Sequence, residues 1–64
     1  MRVNGTEIKL DKPITVAAFL DKKGYDQNRV AVEKNGTVIS RKSYAEAMLS
    51  DDDKLEIVSF IGGG

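Results

Sequence analysis

Apolar and polar positions along the chain alternate in two different periods. Near the start, Met1, Val3, Ile8 and Leu10 are apolar, and Asn4-Gly5 separates the two pairs. Asn-Gly supplies two consecutive residues that tolerate positive φ, as a two-residue type I′ hairpin turn requires. With these as the loop, Val3 faces Thr6, Arg2 faces Glu7 and Met1 faces Ile8. The period of two along a strand then sets Met1, Val3, Ile8 and Leu10 on one face. Arg2 and Glu7 become an opposite-charge pair on the other face, worth roughly 0.2–1 kcal/mol. One register meets both demands, so the spacing predicts a hairpin.

Asp11-Lys12-Pro13 breaks this pattern, and the period changes. Val16, Phe19 and Leu20 fall at i, i+3 and i+4, the stripe of a helix packed on one side. Thr15 is its expected N-cap, with a hydroxyl able to accept a free first-turn N–H. Lys22 and Lys23 suit the negative end of the helix dipole, and Gly24 suits the left-handed residue that ends a helix. The helix is expected over residues 16–23, followed by a loop over 25–28. Arg29 to Lys34 reads as a strand, and Asn35-Gly36 as a second hairpin turn. Its register sets Glu33 opposite Val38 and Val32 opposite Ile39. Val30, Val32 and Ile39 then face the core, while Ala31 and Val38 point outward. Ser43-Tyr44-Ala45-Glu46 matches a capping box. A short helix or single turn there is expected to carry Tyr44, Met48 and Leu49 toward the core. Asp51-Asp52-Asp53 reads as a polar turn, and Lys54 to Ile61 as the last strand.

The order strand, strand, helix, strand, strand, short helix, strand implies an α+β domain. It fits the ubiquitin-like β-grasp: a mixed five-stranded sheet on one main helix, plus a short second helix. The first and last strands are expected side by side and parallel at the sheet's centre. Residues 1–61 form the domain in this reading, and residues 62–64 a flexible glycine tail.

Composition narrows the chemistry. With 64 residues the chain holds one domain, and 41% hydrophobic residues suffice for one small core. Ten Lys plus Arg balance ten Asp plus Glu, so there is no general attraction to nucleic acid or an anionic membrane. The chain has no Cys and no His, hence no disulfide, thiolate metal site, cysteine nucleophile or imidazole base. Independent catalysis is not expected. The first residues lack the apolar run of a signal peptide, and no segment reaches the length of a membrane span. The expected location is cytoplasmic.

Two features remain as candidate function. Gly62-Gly63-Gly64 follows a hydrophobic strand, carries no side chains, and at about 3.5 Å per residue reaches roughly 10 Å. Such an arm threads a narrow channel in a partner, and its reactive group is the α-carboxylate of Gly64. A carboxylate resists substitution until adenylation by ATP converts it to a mixed anhydride open to a sulfur or nitrogen nucleophile. The plainer reading is a frayed terminus. The second feature is the last strand, where Leu55 and Ile57 share the buried face and Glu56, Val58 and Phe60 the other. Val58 and Phe60 are expected near Ala31 and Val38, an apolar docking patch beside the tail; alternatively a bulge turns Phe60 inward. Asp51-Asp52-Asp53 lacks the spacing, turn glycine and distal Glu of a calcium loop, so no metal is expected. Arg41 and Lys42 read as surface cations, and Tyr25 and Tyr44 as amphipathic residues at the core edge.

The assembled pattern resembles the thiamine-biosynthesis sulfur carrier proteins. The resemblance spans the chain and rests on Met1-Arg2-Val3-Asn4-Gly5, Thr15 to Leu20, Val30 to Gly36, Ser40 to Tyr44 and Asp53 to Gly64. It implies a ubiquitin-activating-like adenylyltransferase that uses Mg-ATP to adenylate the terminal carboxylate. It further implies a sulfur donor, ultimately a cysteine desulfurase, that converts the adenylate to a thiocarboxylate, and a thiazole synthase that receives the sulfur. The carrier binds no cofactor itself. By position, Gly64 carries the sulfur, Gly63 and Gly62 thread the partner, and Val58, Phe60 and Ile61 support docking. Many members end in Gly-Gly, so removal of the third glycine makes Gly63 the reactive end. Many also carry Trp where this chain has Tyr44. The alternatives are a molybdopterin-type carrier, whose chains are usually longer, and a β-grasp binding module, which needs no free glycine end.

Overall fold

The computed structural model describes residues 1–60. The elements are β1 (Arg2–Val3), β2 (Thr6–Glu7), β3 (Ile14–Thr15), α1 (Val16–Lys23), β4 (Val30–Lys34), β5 (Thr37–Ile39), β6 (Met48–Leu49) and β7 (Lys54–Ser59), with 3-10 turns at Gln27–Arg29 and Arg41–Ser43. Five strands form one sheet in the order β2-β1-β7-β4-β5, and β3 and β6 form a second, two-stranded one. The pairing of β1 with β7 is parallel, and β7 is central. This is the mixed sheet of the expected β-grasp.

Both hairpins take the expected registers. Arg2 faces Glu7 and Val3 faces Thr6 in the first; Val32 faces Ile39 and Glu33 faces Val38 in the second. The turns hold Asn4 at φ 50° and Gly5 at 84°, and Asn35 at 52° and Gly36 at 84°. Positive φ at both loop positions bends the chain in the sense that the strand twist demands. Arg2 and Glu7 also approach to 3.3 Å as an ion pair.

Helix α1 is bounded as its sequence predicts. Thr15 Oγ1 accepts from Ala18 N–H at 3.1 Å, and Gly24 adopts φ 82° at the other end. Val16, Phe19 and Leu20 are buried against Met1, Val3, Val30, Val32, Tyr44, Leu49, Leu55 and Ile57. Ile8, Leu10, Ile14, Ala17, Tyr25, Ile39 and Ala47 complete the core's margin. One face of the sheet is thereby covered and the other left bare.

The segment from Ser40 to Leu49 differs from expectation. The helical piece is the 3-10 turn Arg41–Ser43, ahead of the predicted capping box. From Ser43 the chain makes one further turn, with Glu46 and Ala47 N–H both donating to Ser43 O, and then extends into β6. The reason lies in α1, whose first N–H groups have no partner within the helix. Val16 N–H donates to Ala47 O at 2.9 Å and Ala17 N–H to Tyr44 O at 2.8 Å. The segment is therefore shaped to serve α1, and β6 pairs with β3 just before it. Adjacent residues of a strand face opposite sides. Leu49 is accordingly buried, but Met48 is 47% exposed rather than turned to the core. Tyr44 lies within the core, not at its edge, and its hydroxyl donates to Val30 O at 3.3 Å.

Candidate functional site: the exit of the central strand

Strand β7 alternates buried and exposed positions, with Leu55 and Ile57 inside and Lys54, Glu56 and Val58 outside. It runs antiparallel to β4, with Val58 opposite Ala31, Glu56 opposite Glu33 and Ser59 opposite Val30. The pairing continues one step past Ser59, where Phe60 N–H donates to Arg29 O at 2.8 Å. Phe60 is thus held by its main chain at the rim of the sheet, four residues before Gly64. Ile61, expected to support docking, and Gly62, Gly63 and Gly64, expected to thread the partner and carry the sulfur, lie outside the described residues.

The outer face near this exit carries the expected hydrophobic side chains. Val58 and Phe60 are each 55% exposed and Val38 is 68% exposed. Phe60 does not turn inward. Val58 and Ala31 are direct neighbours across the strands, but Val38 stands opposite Glu33. The patch is therefore bordered by the Glu33–Glu56 pair, a feature that alternation along one strand does not reveal. Like charges opposite one another across strands are mildly unfavourable.

Charge is anchored at the other end of β7. Asp53 accepts from Ser50 N–H at 2.8 Å and from Asn35 Nδ2 at 2.9 Å, which holds its carboxyl below its ordinary value. Asp51 is lowered too, first by the Leu10 N–H and then by the Met1 amino group. The Met1 amino group is raised in turn, mainly by its 2.9 Å hydrogen bond to Asp51. Of the two surface cations, Arg41 has a structural use, its Nε donating to Gln27 O at 3.0 Å. Among the described residues, no three metal-ligating side chains converge. Among the same residues, no helix is long and apolar enough to cross a membrane.

The side-chain roles of Asn4 and Asn35 have no counterpart in the sequence pattern. Each forms one residue of a hairpin turn, yet each carboxamide also bonds the main chain of β7. Asparagine is so common at positive φ that its identity there signals the turn and nothing more.

With the sheet and its exit defined, the chain can be set beside known proteins. Residues 1–64 match the model of the ThiS family. The chain belongs to the ThiS family. It is 35% identical to the sulfur carrier protein ThiS of Bacillus subtilis, a match covering 100% of this chain and 98% of that one. The crystal structure of the ThiS thiamine biosynthesis protein of Geobacter metallireducens superposes with a TM-score of 0.83 at 32% identity, over 98% of this chain and 96% of that one. A thiazole synthase of Paramagnetospirillum magneticum is 47% identical over 62 residues, covering 97% of this chain and 19% of the longer protein. The ThiS-family chain thus spans about a fifth of the length of the thiazole synthases it matches.

Proposed function

We propose that this ThiS-family chain is a protein co-substrate that carries sulfur on the carboxyl end of Gly64. An adenylyltransferase of the ubiquitin-activating type uses Mg-ATP to form the glycyl-adenylate, releasing pyrophosphate. A persulfide sulfur, supplied ultimately by a cysteine desulfurase, attacks the acyl carbon and AMP leaves. A thiol then cleaves the acyl disulfide, becoming a disulfide itself, and frees the thiocarboxylate. A thiazole synthase takes the sulfur. The B. subtilis relative's name supports the carrier role, and the thiazole synthases that contain a similar segment support that last partner.

The observation that carries the reading is the position of Phe60. The central strand delivers the chain to the sheet rim beside a half-exposed Val58 and Phe60, and Ile61 and three glycines follow it in the sequence. A partner can grip the patch while the arm reaches its active site. We place this activity in the cytoplasm, where the ATP consumed by the adenylation step is available.

Intact mass tests the proposal. The untreated protein should end at Gly64, or at Gly63 if trimmed. After incubation with the adenylyltransferase, Mg-ATP and a sulfur donor, one terminal oxygen should be replaced by sulfur, a gain of about 16 Da. A form extended by one residue should stay unchanged, because its glycine carboxylate is now an amide. An unmodified mass in the native-ended protein, with a partner active on another carrier, would overturn the reading.

A further inference from the structure

Strand β1 is too short to line the whole of β7. Its parallel ladder, with Arg2 paired to Lys54 and Val3 to Leu55, includes Arg2 N–H to Asp53 O at 3.0 Å and Asn4 N–H to Leu55 O at 2.9 Å. At Asn4 the main chain swings to φ 50° and leaves the ladder. The next main-chain groups of β7 on that side belong to Ile57, two residues before the end of the strand. Here the Asn4 side chain takes over. Its Oδ1 accepts from Ile57 N–H at 2.8 Å, and its Nδ2 donates to Ile57 O at 3.1 Å. A carboxamide has one acceptor and one donor side by side, the same pair that a strand residue presents. Asn4 thus extends the sheet by one step without extending the strand.

The clip matters because, among the described residues, β7 has no further tie on the β1 side beyond Ile57, while its β4 side stays paired to Phe60. On the β4 side the last described bond is Phe60 N–H to Arg29 O. On the β1 side, among the described residues, the Asn4 carboxamide is the last tie before the exit. A strand held on both edges has a fixed direction, whereas one held on a single edge can peel or twist about it. We infer that Asn4 is a positioning residue: its carboxamide fixes the direction in which the chain leaves the sheet toward Gly64, and so presents the terminal carboxylate to the activating enzyme. The inference rests on the carrier reading above.

The molecule holds its own control. Asn35 occupies the same place in the second Asn-Gly turn, at φ 52°, and its Oδ1 accepts from Lys54 N–H at 2.9 Å. It clips the opposite end of the same strand. Asn4→Gly and Asn35→Gly each delete a carboxamide while keeping a residue that adopts positive φ freely. Both should lower stability by a similar amount, and both should remain folded. Only one of them frees the exit.

The test compares these two variants with the wild type in two measurements. Amide hydrogen exchange on the isolated protein should quicken about tenfold at Ile57 in Asn4→Gly, and not in Asn35→Gly. In steady-state adenylation, Asn4→Gly should raise the KM for the carrier about fivefold or more with kcat within about twofold, whereas Asn35→Gly should leave both near wild type. Asn4→Asp keeps the acceptor but sets an anionic oxygen against Ile57 O, and should fall between wild type and Asn4→Gly. Equal KM values for the two glycine variants, or an unchanged Ile57 exchange rate, would overturn the positioning role alone. A wild type that is never adenylated would overturn the carrier reading, and the positioning role with it.

Discussion

The two ends of β7 are built differently. At Lys54 the strand is gripped from both sides and from the preceding turn. Lys54 N–H reaches Asn35 Oδ1, Asn35 N–H reaches Lys54 O, and Arg2 N–H reaches Asp53 O. Asp53 gathers Ser50 and Asn35, and Leu55 beside it is fully buried. At Phe60 the strand retains one main-chain bond, to Arg29, and its side chains stand in solvent. The chain concentrates its core and charge contacts where the strand begins. It leaves large apolar groups exposed where the strand ends, which is the opposite of what stability alone would select. A surface of this kind fits the docking role proposed above.

The sharpest way to break this contrast is to truncate a side chain at each end. Leu55→Ala should cost about 3 kcal/mol, because it opens a cavity in a core that cannot fully collapse around it. Phe60→Ala should cost less than about 0.5 kcal/mol, as expected for a surface position. Urea denaturation reads both, with the midpoint shifting and the slope unchanged. Comparable losses would mean that the exit is part of the core and the contrast is false.

A smaller effect is expected at Tyr44. Val30 faces Ser59 across the sheet, and its carbonyl accepts from the buried Tyr44 hydroxyl. Tyr44→Phe keeps the ring and removes that donor, so the loss should be about 1 kcal/mol by the same titration. It should not alter the dispersion of amide signals elsewhere in the core. An effect as large as that of Leu55→Ala would show that the hydroxyl organises the core rather than one strand end.

Acid should act on the start of β7. Asp51 and Asp53 are both lowered by hydrogen bonds made only in the fold. An unfolded Asp carboxyl titrates near about 3.9, so the stabilisation is whole above that pH. It is lost as pH falls through the lower folded value, because the unfolded chain then binds protons more readily. Stability should therefore drop below about pH 4, and Asp53→Asn should flatten that drop. An acid limb of equal slope in the variant would remove Asp53 from the account.

The hairpins and the helix were legible because each is decided by neighbours in sequence. Asn-Gly sets the turn, the turn sets the register, and Thr15 and Gly24 bound the helix whatever the rest of the chain does. The Ser40 to Leu49 segment departs from its local pattern because it is decided by α1. Its capping box is real in composition, but its carbonyls at Tyr44 and Ala47 are needed by Val16 and Ala17. Once the next residues pair with β3, Met48 must face out. Of the candidate site, the exposure of Val58 and Phe60 was legible by alternation along β7. The Glu33–Glu56 border needed the β4–β7 register, and the Asn4 and Asn35 clips needed the approach of distant strands. Neither leaves a local trace.

The smallest change in stability should accompany the largest change in recognition. Phe60→Asp removes an exposed ring and sets a carboxylate at the rim, four residues along β7 from Glu56 and next to Arg29 on β4's side. The fold loses no buried contact there, since the main-chain bond from Phe60 N–H to Arg29 O does not depend on the side chain. The urea midpoint should thus stay within about 0.5 kcal/mol of wild type. Docking is another matter. If Phe60 is the apolar anchor of the partner interface, binding buries the new carboxylate away from water and forfeits the ring's contact area. Affinity for the adenylyltransferase, measured by titration calorimetry, should fall about tenfold or more, within the range of an anchor residue. Phe60→Leu, which keeps an apolar group and adds no charge, should recover most of the loss. Failure of both variants to change affinity would move the docking surface off this face of the sheet and leave the exposed end of β7 without an explanation.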